Sequence, residues 1–250
     1  EGNNLAVLGA VKARGAWADH IVVTGYEHPS VQNPVAALEQ EGWRVTVVPP
    51  DAGGHVDAGR MLDAVGPKTA LVAAMHVNNE IGTILDVAAL ACAVKEKNSR
   101  AAVHVDGVQA WGKAPVRLNE TAIDSYTVSG HKIHAPKGVG ALYCKKSVKL
   151  KNFIEGGAQE RGRRGGTEAI PGILAMAAAL EESCAHLEEN MAKVSARRDK
   201  LIAGLSKIPC SRCNGDPDHR APGIVSFCFE GIEGESLLLL LDDRGICASS

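Results

Sequence analysis

Six short apolar runs separated by amphipathic stretches constrain the fold of this chain more than any other feature. Ile21–Gly25, Val45–Val48, Ala70–Met75, Ala102–Val105, Ser125–Ser129 and Gly140–Cys144 read as strands. Val31–Glu41, Asp57–Val65 and Val87–Lys97 lie between them and carry apolar residues at helical spacing. Strands that are apolar on both faces and alternate with helices predict an α/β fold, with a mostly parallel sheet covered on both sides. Ligands of such sheets bind beyond the carboxyl ends of the strands, so polar clusters matter most where a strand has just ended.

From Pro171 the pattern changes. Ile173, Met176, Leu180, Cys184, Leu187, Met191, Val194, Leu201 and Leu205 recur at helical intervals, which predicts one long connecting helix over 171–207. Asn214-Gly215-Asp216-Pro217 marks a turn, Ile224–Phe229 reads as a strand, and Gly234-Glu235-Ser236 opens a helix. The expected organisation is a large domain over 1–170, the connector, and part of a second domain over 208–250. The chain begins at Glu1 without Met and stops at Ser250 after a strand-like run from Ile246, so it reads as a piece of a longer protein.

Composition removes several classes. Lys and Arg total 27 against 29 Asp and Glu, a net charge of −2, which makes no electrostatic case for nucleic acid or a membrane surface. The longest aliphatic run, Leu237–Leu241, is far too short to span a bilayer. Seven scattered cysteines are an odd number and too sparse for a disulfide framework, so a reducing compartment such as the cytoplasm is expected. Cys210 and Cys213 supply only half the ligands of a structural zinc, and no metal site is expected.

Five segments carry groups suited to chemistry. Ser129-Gly130-His131-Lys132 ends a strand, and desolvation there would favour the neutral amine that forms a Schiff base. Asp106, in Val103-His104-Val105-Asp106-Gly107-Val108-Gln109, follows another strand. A pyridoxal phosphate (PLP) enzyme needs such a lysine for the aldehyde and such a carboxylate for the pyridine nitrogen, although an Asp at a strand end also serves as a helix N-cap. Gln109 could reach the ring's phenolic oxygen. His28 follows the first strand and could stack on a planar cofactor. His76-Val77-Asn78-Asn79-Glu80 follows the third strand, where Asn residues also build turns. Gly156–Thr167 is rich in Gly and Arg, which suits an anion or a solvated loop.

Taken in order, His28, Asn78-Asn79-Glu80-Ile81-Gly82, Asp106-x-x-Gln109, Ser129-Gly130-His131-Lys132 and Glu160-Arg161-Gly162-x-Arg164-x-Gly166-Thr167 resemble the cysteine desulfurases of the NifS/IscS class. These are class V, fold-type I PLP enzymes. The resemblance implies a mostly parallel seven-stranded sheet, a homodimer, L-cysteine as substrate, and a persulfide passed to an acceptor such as an iron–sulfur scaffold. It implies that Lys132 carries the cofactor, Asp106 holds the ring nitrogen and His28 stacks on the ring. It further implies that Gln109 contacts the ring oxygen, and that Asn79 sits by that oxygen and the substrate carboxylate. Ser129 and His131 would hold the phosphate, and Thr167 would reach the phosphate of the other subunit. Further phosphate ligands are expected before Glu1, and the nucleophilic cysteine is expected just after Ser250. Cys247 is expected in a buried strand, and the 250 residues alone are not expected to complete desulfuration. A selenocysteine lyase, another class V aminotransferase and an inactive scaffolding subunit are the competing readings.

Overall fold

A computed structural model describes residues 1–249. Six strands form one sheet: β1 (His20–Thr24), β2 (Arg44–Val48), β3 (Thr69–Met75), β4 (Ala102–Asp106), β5 (Ser125–Ser129) and β6 (Gly140–Cys144). Their order is β2-β1-β3-β4-β5-β6. The first five run parallel, and β6 turns back antiparallel to β5. The expected seventh strand is not among the described residues.

Every residue of β1, β3 and β4 is buried, which explains why these strands lack polar alternation. Their side chains divide between two cores. Ile21, Val23, Leu71 and Ala73 face α1 (Gly2–Lys12) and α2 (Pro29–Gln40), meeting Val7, Val11, Val31 and Leu38. Val22, Val72, Val103 and Val105 face the opposite core with Met61 of α3 (Ala58–Ala64) and Leu90 and Val94 of α4 (Val87–Lys97). Most polar groups within this sheet are paired, the buried Thr127 hydroxyl of β5 being an exception. His20 bonds Thr69 Oγ1 at 3.0 Å and Thr46 Oγ1 at 2.9 Å. Asp124 accepts from the Val103 amide at 2.8 Å and pairs with Lys95, tying α4 to the start of β5.

Helix starts follow the local chemistry. Asp57 caps α3 through the Gly59 amide at 2.7 Å, and Asp86 caps α4 through Ala89 at 2.9 Å. Pro29 opens α2 at a position where its missing N–H is harmless. Pro34, inside α2, leaves the Ser30 carbonyl without its helical donor, and Asn4 of α1 supplies one at 3.0 Å. This bond fastens α1 to α2.

The connector differs from expectation. It is two helices, α6 (Ile170–Ala185) and α7 (Leu187–Leu205), meeting at a non-helical His186. A one-residue break barely disturbs the helical period, so the apolar spacing reads straight through it. Preceding them, α5 (Gln159–Gly162) is a single distorted turn in which Glu160 and Arg161 adopt left-handed backbone angles. The final part contains a two-stranded antiparallel ribbon, β7 (Ser211–Cys213) with β8 (Phe227–Phe229), and α8 (Gly234–Asp242). The expected strand from Ile224 thus starts three residues later. Residues 246–249 form no strand and Cys247 is exposed, because no neighbouring strand pairs with that backbone among the described residues. Ser250 lies outside them.

Leu71→Ala should destabilise the chain by about 3 kcal/mol, because it opens a cavity between α1 and the sheet. Exposed Glu39→Ala should change stability by less than about 0.5 kcal/mol. Urea unfolding of both variants measures the difference, and equal effects would contradict the packing described.

Candidate active site

The strand order reverses beside β1, since β2 lies on one side of it and β3 on the other. The loops after β1, β3, β4 and β5 therefore emerge side by side along one edge, and the sequence-predicted residues other than Thr167 lie on or at the start of them. Hydrogen bonds lace the exits together. The His76 amide bonds the Asp106 carbonyl at 3.0 Å, and the Gly107 amide bonds the Thr127 carbonyl at 3.0 Å.

Asp106 is the last residue of β4 and only 4% exposed. Its Oδ1 accepts from the Val108 amide at 3.0 Å and its Oδ2 from Asn3 Nδ2 at 2.7 Å. Gly107 follows because nothing larger fits: a Cβ there would lie 1.8 Å from the Tyr126 ring. The Val108 bond is a local backbone contact of the kind an N-cap Asp makes, but the second oxygen reaches across the fold to α1.

Gln109 is half-buried, and its Oε1 accepts from Lys113 Nζ at 3.0 Å. Burial, together with the nearby charge of Lys132, lowers the pKa of Lys113. Gln109, Lys113 and Lys132 therefore form one group. Lys132 sits in a single 3-10 turn, Gly130–Ile133, closed by a left-handed His134. It is half-buried, as Lys113 is. Ser129 Oγ and His131 Nδ1 are 2.8 Å apart at the same exit.

His28 caps α2, with Nδ1 facing the Ser30 amide at 3.1 Å and the Ser30 hydroxyl at 2.8 Å. Its ring is otherwise exposed. After β3, Asn78 builds the turn: its Oδ1 accepts from the amides of Glu80 and Ile81, both at 2.9 Å, and its Nδ2 donates to the Tyr26 carbonyl at 3.2 Å. Asn79 is the partly exposed member of the pair. Just before them, His76 Nδ1 lies 2.9 Å from the Tyr126 hydroxyl, and burial lowers the pKa of this imidazole to about 4.

Thr167 stands apart. It is exposed, and no hydrogen bond joins it to the strand-exit groups among the described residues. In the same loop, Arg164 is already engaged. Its guanidinium forks onto Glu1, with Nε 2.9 Å from Oε1 and the second nitrogen 3.1 Å from Oε2.

Sequence reasoning missed Asn3, Ser30, Lys113, Glu27 and His104. His104 was the most accessible of these, because it lies two residues before Asp106 and so shares its face of β4. Glu27 is 3% exposed, with Oε1 accepting from the Thr24 hydroxyl and Oε2 unpartnered. Burial, reinforced by the charge of Asp106, pushes its pKa up to about 8 although the Thr24 bond opposes this.

With the strand-exit cluster in place, comparison with known proteins identifies the class. The aminotransferase class-V family matches residues 1–250, and the chain belongs to that family. Within it, the chain is 43% identical over 251 residues to a cysteine desulfurase of Nostoc sp., covering all of this chain and 62% of that relative. A solved NifS-like protein superposes with a TM-score of 0.96 at 35% identity, over 100% of this chain and 68% of the other. SspA, solved in complex with cysteine, gives 0.81 at 30% identity, over 99% of this chain and 68% of the other. The fold-type I α/β architecture read from the sequence is thereby established.

The buried Glu27 generates a pH prediction. Its carboxyl has an ordinary value of 4.5 and a folded value of about 8, so across that window the native state holds a proton the unfolded state has released. Stability then falls as pH rises through the window. Glu27→Gln removes this loss, and its advantage over wild type should grow from pH 5 to pH 8 by up to about 1.4 kcal/mol per pH unit. Urea unfolding at the two pH values measures it. A constant difference would mean that Glu27 is already ionised in the native chain.

Proposed function

We propose that the chain is the cofactor-bearing part of a PLP-dependent cysteine desulfurase. One observation carries this reading: Lys132, Asp106 and His28 follow strands of one parallel sheet, at the same edge, in a chain 43% identical to a cysteine desulfurase along its whole length. The chain spans 62% of that relative, so the complete activity, its substrate and its partners are part of the proposal.

The donor set fits PLP. Each oxygen of Asp106 accepts one hydrogen bond and keeps lone-pair capacity for a further N–H. An amine, an amide, a hydroxyl and an imidazole stand on the neighbouring loops as Lys132, Gln109, Ser129 and His131. PLP, when bound, supplies an electron sink for the pair left at a substrate's Cα.

This chain's own residues then have separable tasks. Asp106 would hold the pyridine nitrogen of PLP and keep a proton there. Lys132 would hold its aldehyde, and its amine would move a proton at the substrate's Cα. His28 offers its ring face, and Gln109 donates through its amide while Lys113 holds its oxygen. Ser129 and His131 suit the phosphate. Asn79 suits the ring oxygen and the carboxylate of L-cysteine. Thr167, exposed and away from these groups, suits the site of a second copy in a homodimer. A cysteine thiolate would attack the substrate sulfur while the Cβ–S bond breaks, its electron pair staying on Cβ, which takes up a proton to give alanine; the outer sulfur of the resulting persulfide would then pass to an acceptor, such as a scaffold for iron–sulfur cluster assembly. In the same reading, residues 1–170 are the PLP domain, 171–207 the connector and 208–250 part of a smaller domain. The seven free thiols suit a reducing cytoplasm.

Borohydride reduction after PLP loading tests the assignment by intact mass. Wild type should gain one reduced cofactor, and Lys132→Ala should gain none. An undiminished adduct in the variant would overturn the role of Lys132. Asp106→Ala should keep the covalent link but weaken PLP retention about tenfold, the loss expected for one charge-assisted hydrogen bond. Unchanged retention in a dialysis assay would remove Asp106 from the ring nitrogen.

A further inference from the structure

The carboxylate and the stacking imidazole are joined through one buried side chain that belongs to neither strand exit. Asn3, on the first turn of α1, is 4% exposed and uses all its hydrogen-bonding directions that face the site. Its Nδ2 donates to Asp106 Oδ2 at 2.7 Å and to Ser30 Oγ at 2.8 Å. Its Oδ1 lies 3.0 Å from His104 Nε2.

The donor directions follow from the acceptors. A carboxylate only accepts, so the amide hydrogens must face Asp106, and the amide oxygen must face His104. His104 then carries its proton on Nε2, and its Nδ1 accepts from the Ser125 hydroxyl at 2.9 Å. Full burial lowers the pKa of this ring to about 4, so it stays neutral and in that single tautomer. On the other side, Ser30 Oγ accepts from Asn3, which leaves its hydrogen for His28 Nδ1 at 2.8 Å. The Ser30 amide points at the same nitrogen. His28 Nδ1 is therefore an acceptor, and the ring proton sits on Nε2.

We propose that Asn3 is a positioning residue for the cofactor: its single amide orientation fixes the Asp106 carboxylate and the Nε2–H form of the buried His104 together. This rests on the reading that Asp106 meets the ring nitrogen of PLP. A simple fastening of α1 to the sheet would need only one of the three bonds. The three bonds instead lead to the two groups that would touch the ring and to the histidine beneath them.

The test uses Asn3→Leu, which keeps the volume and removes every bond, with two ligands: PLP and its analogue with carbon in place of the ring nitrogen. If Asn3 acts through Asp106, the variant should bind PLP about tenfold more weakly and the analogue within about twofold of wild type. Equal weakening of both ligands, or of neither, would overturn the proposal. A second readout needs no cofactor. In the ¹⁵N-histidine spectrum of the free wild-type chain, His104 should show one Nε2–H tautomer. Asn3→Leu should mix its two tautomers, because the Ser125 hydroxyl left beside the ring can donate or accept, while His28 stays fixed by the Ser30 amide; unchanged His104 shifts would overturn the proposal. If Asn3→Leu fails to fold, Asn3→Ala decides, because it removes the same bonds, and an unaltered His104 would count against the network. Failure of wild type to bind either ligand would instead overturn the PLP reading, while the histidine spectra would still judge the network.

Discussion

Burial of β1, β3 and β4 on both faces is the constraint on which the rest depends. A strand covered on both sides has no solvated face on which to place polar side chains, so its working groups collect where it ends. Parallel running puts those ends at one edge. The reversal of strand order beside β1 then separates the crossovers and leaves a crevice. His28, Asn79, Asp106 and Lys132 thus lie at strand exits along one edge although they are far apart in sequence.

The same burial sets the electrostatics. His104 and His76 lie where charge is costly, so both imidazoles are held neutral by burial. Glu27 is affected in the opposite sense and retains its proton. Asp106 receives an amide donor from α1, a donor that no strand of the sheet supplies. The position of α1 is secured in turn by Asn4, which compensates the carbonyl freed by Pro34. A proline in one helix, an asparagine in the next and a carboxylate at a strand end are thus parts of one arrangement.

The strands were legible because apolar runs bounded by polar exits leave a strong local signal. All six lie within a residue or so of where the sequence puts them. The first helix was not legible. Asn3, Ala6, Val7, Gly9, Ala10 and Val11 are buried around most of its circumference, so it carries no amphipathic contrast to read. The break at His186 was hidden by an apolar period that continues across it. The desolvation of Lys113 beside Lys132 depends on how a loop folds back, which spacing along the chain does not encode.

Lys132 and Lys113 share one neighbourhood, so the most direct test of the account is which amine takes the cofactor. Peptide mapping of the PLP-loaded, borohydride-reduced chain answers this by locating the added mass. The account predicts the adduct on the peptide containing Lys132, with Lys113 unmodified. An adduct on Lys113, or one spread over surface lysines, would contradict it.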